Sequence, residues 1–95
     1  MQSQNALNFD GTNDYVDCGT GASTIITGNQ ITLEAWIKAD SWESEAFYGN
    51  IITKEESSGD NAGYELSCGA GGKVYFRFGD GNSGSSWVEL ATAAI

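Results

Sequence analysis

The cleanest hydrophobic pattern in the chain runs through residues 31–40. Ile31, Leu33, Ala35 and Ile37 fall on one parity and Thr32, Glu34, Trp36 and Lys38 on the other, which is the period of a half-buried β-strand. Shorter alternations precede it. Ala6-Leu7-Asn8-Phe9 and Tyr15-Val16-Asp17-Cys18 flank the turn-rich Asp10-Gly11-Thr12-Asn13-Asp14 and predict a hairpin. Residues 19–29 are small and polar apart from Ile25-Ile26, and predict a loop or one helical turn across the end of a sandwich.

Beyond the acidic loop Ser41-Trp42-Glu43-Ser44-Glu45, strands are predicted over residues 50–54, 64–68, 73–78 and 87–90. Gly69-Ala70-Gly71-Gly72 can turn tightly, because glycine tolerates positive φ. The connections are short enough for antiparallel neighbours, so these four strands read as a meander in one sheet. Val74, Phe76 and Phe78 then face inward with Tyr64, Leu66, Val88 and Leu90, leaving Glu65, Ser67, Lys73, Tyr75, Arg77, Trp87 and Glu89 on the outer face. The count is about seven short strands and no helix, an all-β chain.

Composition narrows the picture. Ninety-five residues make a single domain over 1–95 with a modest core. Thirteen glycines, no proline and 40% hydrophobic residues fit a globular chain with tight turns. A net charge of −9 opposes nucleic acid and anionic membranes, and makes a cation or a neutral ligand the natural partner. The acidic residues are scattered, so the plainer reading is a solvated surface. No run is long enough to span a membrane, and the polar start Met1-Gln2-Ser3-Gln4-Asn5 lacks the marks of a signal peptide. Cys18 and Cys68 both sit on apolar parity and read as two buried thiols. The alternative is a disulfide closing a loop of about 50 residues, contributing about 4 kcal/mol and implying an oxidising compartment.

Four phrases carry a resemblance: Ala6-Leu7-Asn8-Phe9-Asp10-Gly11 with Asn13-Asp14-Tyr15-Val16, Ile31-Thr32-Leu33-Glu34-Ala35-Trp36-Ile37-Lys38, Gly49-Asn50-Ile51-Ile52, and Gly63-Tyr64-Glu65-Leu66. In this order they resemble the laminin G-like, concanavalin A-like jelly-roll superfamily, in particular its bacterial and phage branch. The resemblance implies an antiparallel β-sandwich in a non-catalytic recognition or adhesion module. Its ligand would be a carbohydrate or a protein, with calcium as cofactor, and its parent protein would be extracellular or on a cell or virion surface. A complete relative continues past the equivalent of Leu90 into further strands, so the chain resembles the N-terminal half to two-thirds of a jelly roll. A sandwich lacking partner strands leaves open edges and an apolar face, and association of two copies is the expected remedy. A self-associating assembly piece without small-ligand activity is therefore the competing function. Trp36 would be flanked by strands in a complete relative and is read as packing.

For carbohydrate, flat aromatic area beside a few placed polar groups is what a sugar ring needs. Tyr75, Arg77 and Trp87 with Glu65 and Glu89 offer this on adjacent strands, and Trp42 and Tyr48 could extend the rim. The plainer reading is that these aromatics cover the sheet or an oligomer contact. For calcium, oxygen ligands are required. Asp60 and Asn61 resemble the Asp-Asn pair of the pentraxin calcium loop, Asp10, Asn13 and Asp14 form a second candidate, and Asp80 with Asn82 a third. Asp and Asn are also ordinary turn residues. Jelly-roll glucanases place catalytic carboxylates in Glu-x-Asp-x-x-Glu or a similar motif, whereas here Glu34 is followed at its second position by Trp36. With no histidine in the chain, serine or cysteine triads and histidine-ligated metal are excluded within it.

Overall fold

The computed structural model describes residues 5–26, 28–55, 62–80 and 87–94. Four strands, β1 (Gly49–Glu55), β2 (Ala62–Gly69), β3 (Lys73–Asp80) and β4 (Val88–Ala91), form one antiparallel sheet in chain order. This is the meander expected from the second half of the sequence. The β2–β3 turn closes with the Gly72 N–H donating to the Gly69 carbonyl at 3.1 Å. Ala70 and Gly71 at its centre both have positive φ, 44° and 80°, the sense that matches the twist of a hairpin. That turn fixes the register: Leu66 faces Phe76, Glu65 faces Arg77 and Ser67 faces Tyr75. Across β3 and β4, Phe76 faces Leu90 and Arg77 faces Glu89. In β1 the register shifts between Asn50 and Ile52, so Ile51 is the extra residue of a bulge.

The two faces hold the residues the alternation assigns to them, but apart from Cys68 the deeper burial falls on the charged face. Glu65 and Ser67 are 1% and 0% exposed and Tyr75 is 7% exposed, whereas Phe78, Val88 and Leu90, predicted to face inward, are exposed. The cause is the segment before β1. It passes across the charged face so closely that a side chain at Gly69 would collide with the Glu45 carbonyl, and Phe47 sets its ring on Tyr75 at 4.6 Å. On the opposite face Ile25, Ile26 and Ile31 only partly cover Tyr64, Phe76 and Phe78, leaving a groove of about 750 Å3.

A 3-10 turn, Ala22–Thr24, stands within the small polar stretch. The Tyr64 hydroxyl donates to the Thr24 carbonyl at 2.9 Å and ties this turn to the sheet. The strands predicted over residues 6–9, 15–18 and 31–38 are not formed: among the described residues no ladder pairs them. Leu7, Phe9, Val16 and Ile37 nevertheless share a cleft with Ile51 and Ile52 of β1. Alternation reports which side of a segment meets an apolar layer, whereas a strand also needs a neighbour for its N–H and C=O groups. Trp36, predicted to be packing, is 93% exposed for the same reason. Both cysteines are free thiols; Cys68 is buried, but Cys18 rides on an unpaired segment and is exposed, contrary to the expectation of two buried thiols.

Candidate functional site

The charged face of the sheet is organised around Arg77. Register places it between Glu65 on β2 and Glu89 on β4. Its Nε donates to Glu65 Oε2 at 2.7 Å, and its Nη2 lies 2.6 Å from the same oxygen and 2.7 Å from Glu55 Oε1. Phe47 and Trp87 take the remaining directions, each with its ring centroid 4.7 Å from the guanidinium carbon, within cation–π range. One cation thereby joins the segment before β1 with β1, β2, β3 and the start of β4.

The ionisation of this cluster follows from its geometry. Burial alone would raise the Glu65 carboxyl, but the neighbouring Glu55 and Ser67 side chains and the Arg77 guanidinium together hold it below its ordinary value. Glu55 goes the other way: the Glu65 carboxyl beside it and partial burial raise it against the pull of Arg77. Burial works against the charge on Arg77, and its two carboxylates more than restore it, so its affinity for the proton rises. Glu65 Oε1 and the Ser67 hydroxyl are buried without a hydrogen bond of good geometry, an arrangement that costs stability in a dry site. Cys68, on the other face, has its thiol pushed up by burial alone.

Of the residues predicted to bind carbohydrate, Tyr75, Arg77, Glu65 and Trp87 are brought together, but as a packed cluster. Glu65 and Tyr75 are buried, and every strong direction of Arg77 is taken within the protein. Trp87 keeps part of its ring in solvent, and Glu89 is exposed and makes no ion pair. Trp42 and Tyr48 are exposed on the segment before β1, outside the stack. Of the calcium candidates, Asp10 and Asp14 meet in one turn. The Asp10 N–H donates to Asp14 Oδ2 at 2.9 Å and the Thr12 N–H to Asp10 Oδ1 at 2.8 Å, which is the local work of turn residues. Asn13 lies exposed in the same turn. Asp60, Asn61 and Asn82 lie outside the described residues, as does the side chain of Asp80. Among the described residues no three His, Cys, Asp or Glu side chains converge to hold a metal ion.

The sequence pattern missed Phe47, Glu55 and Ser67 as members of this cluster. The Glu65–Arg77 pair was recoverable, because the glycine turn sets the register and opposite charges then face each other across strands. Phe47 carries no periodic signal, being a single ring in a loop with a left-handed backbone (φ 66°).

A sheet of this topology, with aromatics and charges on one face and aliphatics on the other, is compatible with several sandwich families. A family model settles the choice, matching residues 10–94. The chain belongs to the concanavalin A-like lectin/glucanases superfamily, through its laminin G-like branch. No curated protein and no solved structure is similar enough to register as a match. Membership accounts for the all-β architecture, with the four-stranded antiparallel sheet as part of a jelly roll.

Proposed function

We propose that this chain is a non-catalytic recognition module of the lectin-like type, with Trp87 as its carbohydrate platform. The observation that carries the reading is the stack at Arg77: Trp87 is held against a guanidinium that is itself fixed by Glu55 and Glu65, yet its ring remains half-exposed at the edge of the sheet. A flat ring already fixed in place loses little freedom when a sugar stacks on it. The non-catalytic part has its own support. Glu55 and Glu65, the carboxylates that adjoin on this face, are both tied to Arg77, and Glu65 is buried, so they cannot flank a glycosidic bond as acid and nucleophile.

Affinity electrophoresis through gels containing soluble polysaccharides provides the test. Trp87→Ala is expected to weaken glycan retardation by about tenfold, the loss of one aromatic stack at about 1–1.5 kcal/mol, while Trp36→Ala leaves it unchanged. Equal retardation of wild type and Trp87→Ala would reject the platform. The opposite face favours a second reading, self-association. Phe78, Val88 and Leu90 are exposed there, and among the described side chains of that sheet face the charged one is Lys54, away on β1, so two copies could stack on the β3–β4 side through apolar contacts.

A further inference from the structure

We infer that the edge formed by Trp87 and Glu89 takes a sugar bearing a free, protonated amine. This rests on Trp87 being the carbohydrate platform and adds the class of sugar. Both residues contact or face Arg77, so they project from the same side of the β4 edge, two positions apart. That spacing is about 7 Å along a strand, roughly the width of one sugar ring. Trp87 supplies the stacking surface. Glu89 supplies an exposed carboxylate that has no ion pair or hydrogen bond among the described residues.

Carboxylates outnumber cations around this pair. Glu55, Glu65 and Glu89 are set against Arg77, whose charge is already spent on the first two. Lys73 is the other cation on this face by register, and it lies four residues along β3 from Arg77, about 13 Å away. Among the described residues, neither cation of this sheet face is therefore free to receive a carboxylate or sulfate beside Trp87. The net charge of −9 adds a long-range field of the same sign. A ring ammonium placed over Glu89 satisfies that carboxylate, whereas an acidic sugar would set its anion against it.

The experiment compares three oligosaccharides of equal length by titration calorimetry at about pH 6, where an amine resembling an α-amino group is protonated. One carries free amines, one is the same oligomer N-acetylated, and one is built of uronic acids. Wild type is expected to bind the free-amine oligomer several-fold more tightly than the acetylated one, and the uronic acid least. Glu89→Gln, an exposed change that should leave the melting temperature unaltered, is expected to cost two- to fivefold in affinity for the free-amine oligomer, the scale of one exposed ion pair. It should leave the acetylated oligomer unaffected. Acetylated and free-amine oligomers bound equally, or a Glu89→Gln variant that keeps the wild-type preference, would overturn the amine assignment while leaving the Trp87 platform standing. Tightest binding of the uronic acid would overturn it as well. Absence of binding by all three sugars would overturn the platform and the assignment together.

Discussion

Arg77 is a cation held by burial on one side and by two carboxylates on the other, and the balance sets how the protein responds to acid. The Glu55 carboxyl lies above its ordinary value in the folded protein, so as pH falls from neutrality the folded form takes up that proton before the unfolded chain does, and stability rises slightly. Glu65 lies below its ordinary value, so its contribution is present above the usual carboxylate range and is lost as pH falls through its folded value. Arg77→Gln removes the cation that helps hold the Glu65 carboxyl down, so that carboxyl rises from its depressed position. The expected cost at neutral pH is about 2–3 kcal/mol, short of the range for a fully buried pair, because the Arg77 side chain keeps 20% of its surface in solvent. Urea denaturation at a series of pH values checks both parts. The deficit of the variant should shrink on acidification, and a deficit independent of pH would show that the cation does not act through Glu65.

Among the elements, the hairpin from β2 to β3 was the most legible in the sequence. Four turn-forming residues between two alternating runs define its register, and the register then places Glu65 opposite Arg77 without further information. The 3-10 turn was equally accessible as a helical turn in a polar stretch. The burial of the faces was not legible. Alternation separates Tyr75 from Phe76 but does not say which side receives cover, and here the cover arrives from a loop that Phe47 anchors on Tyr75 and Arg77. Residues 31–38 show the converse limit, since their period was clear but the neighbour they need was not written in it. Gly69 is where the covering segment comes closest to the sheet. Gly69→Ala is expected to lift that segment or shift β2, at about 1–3 kcal/mol for overpacking. Gly28→Ala, which meets nothing within 4 Å, should be neutral or slightly stabilising. Equal urea midpoints for the two variants would mean that the segment does not press on Gly69.

At the scale of the whole molecule, two forces oppose each other. An aliphatic face with Val88 and Leu90 exposed, 51% and 64% respectively, favours association, while nine net negative charges per copy push copies apart. Screening shortens the repulsion to about 8 Å at physiological ionic strength and leaves the apolar attraction intact. Sedimentation velocity at micromolar concentration is therefore expected to show dimer increasing with salt. Leu90→Lys, at the most exposed of the three apolar positions Phe78, Val88 and Leu90, should reduce dimer at every salt concentration. A monomer across the whole series, unfolding cooperatively, would remove the self-association reading and leave the recognition reading untouched.

The stacking of Trp87 on Arg77 also decides what light reports about this protein. Three indoles contribute to its emission. Trp36 is almost wholly in water and changes its surroundings little when the chain unfolds, whereas Trp42, 37% exposed, loses the cover it has in the fold. Trp87 alone sits on a cation and moves off it. Tryptophan fluorescence here thus reports two places, the segment before β1 through Trp42 and the sheet edge through Trp87, and its transition follows the uncovering of the charged face rather than the loss of the aliphatic face.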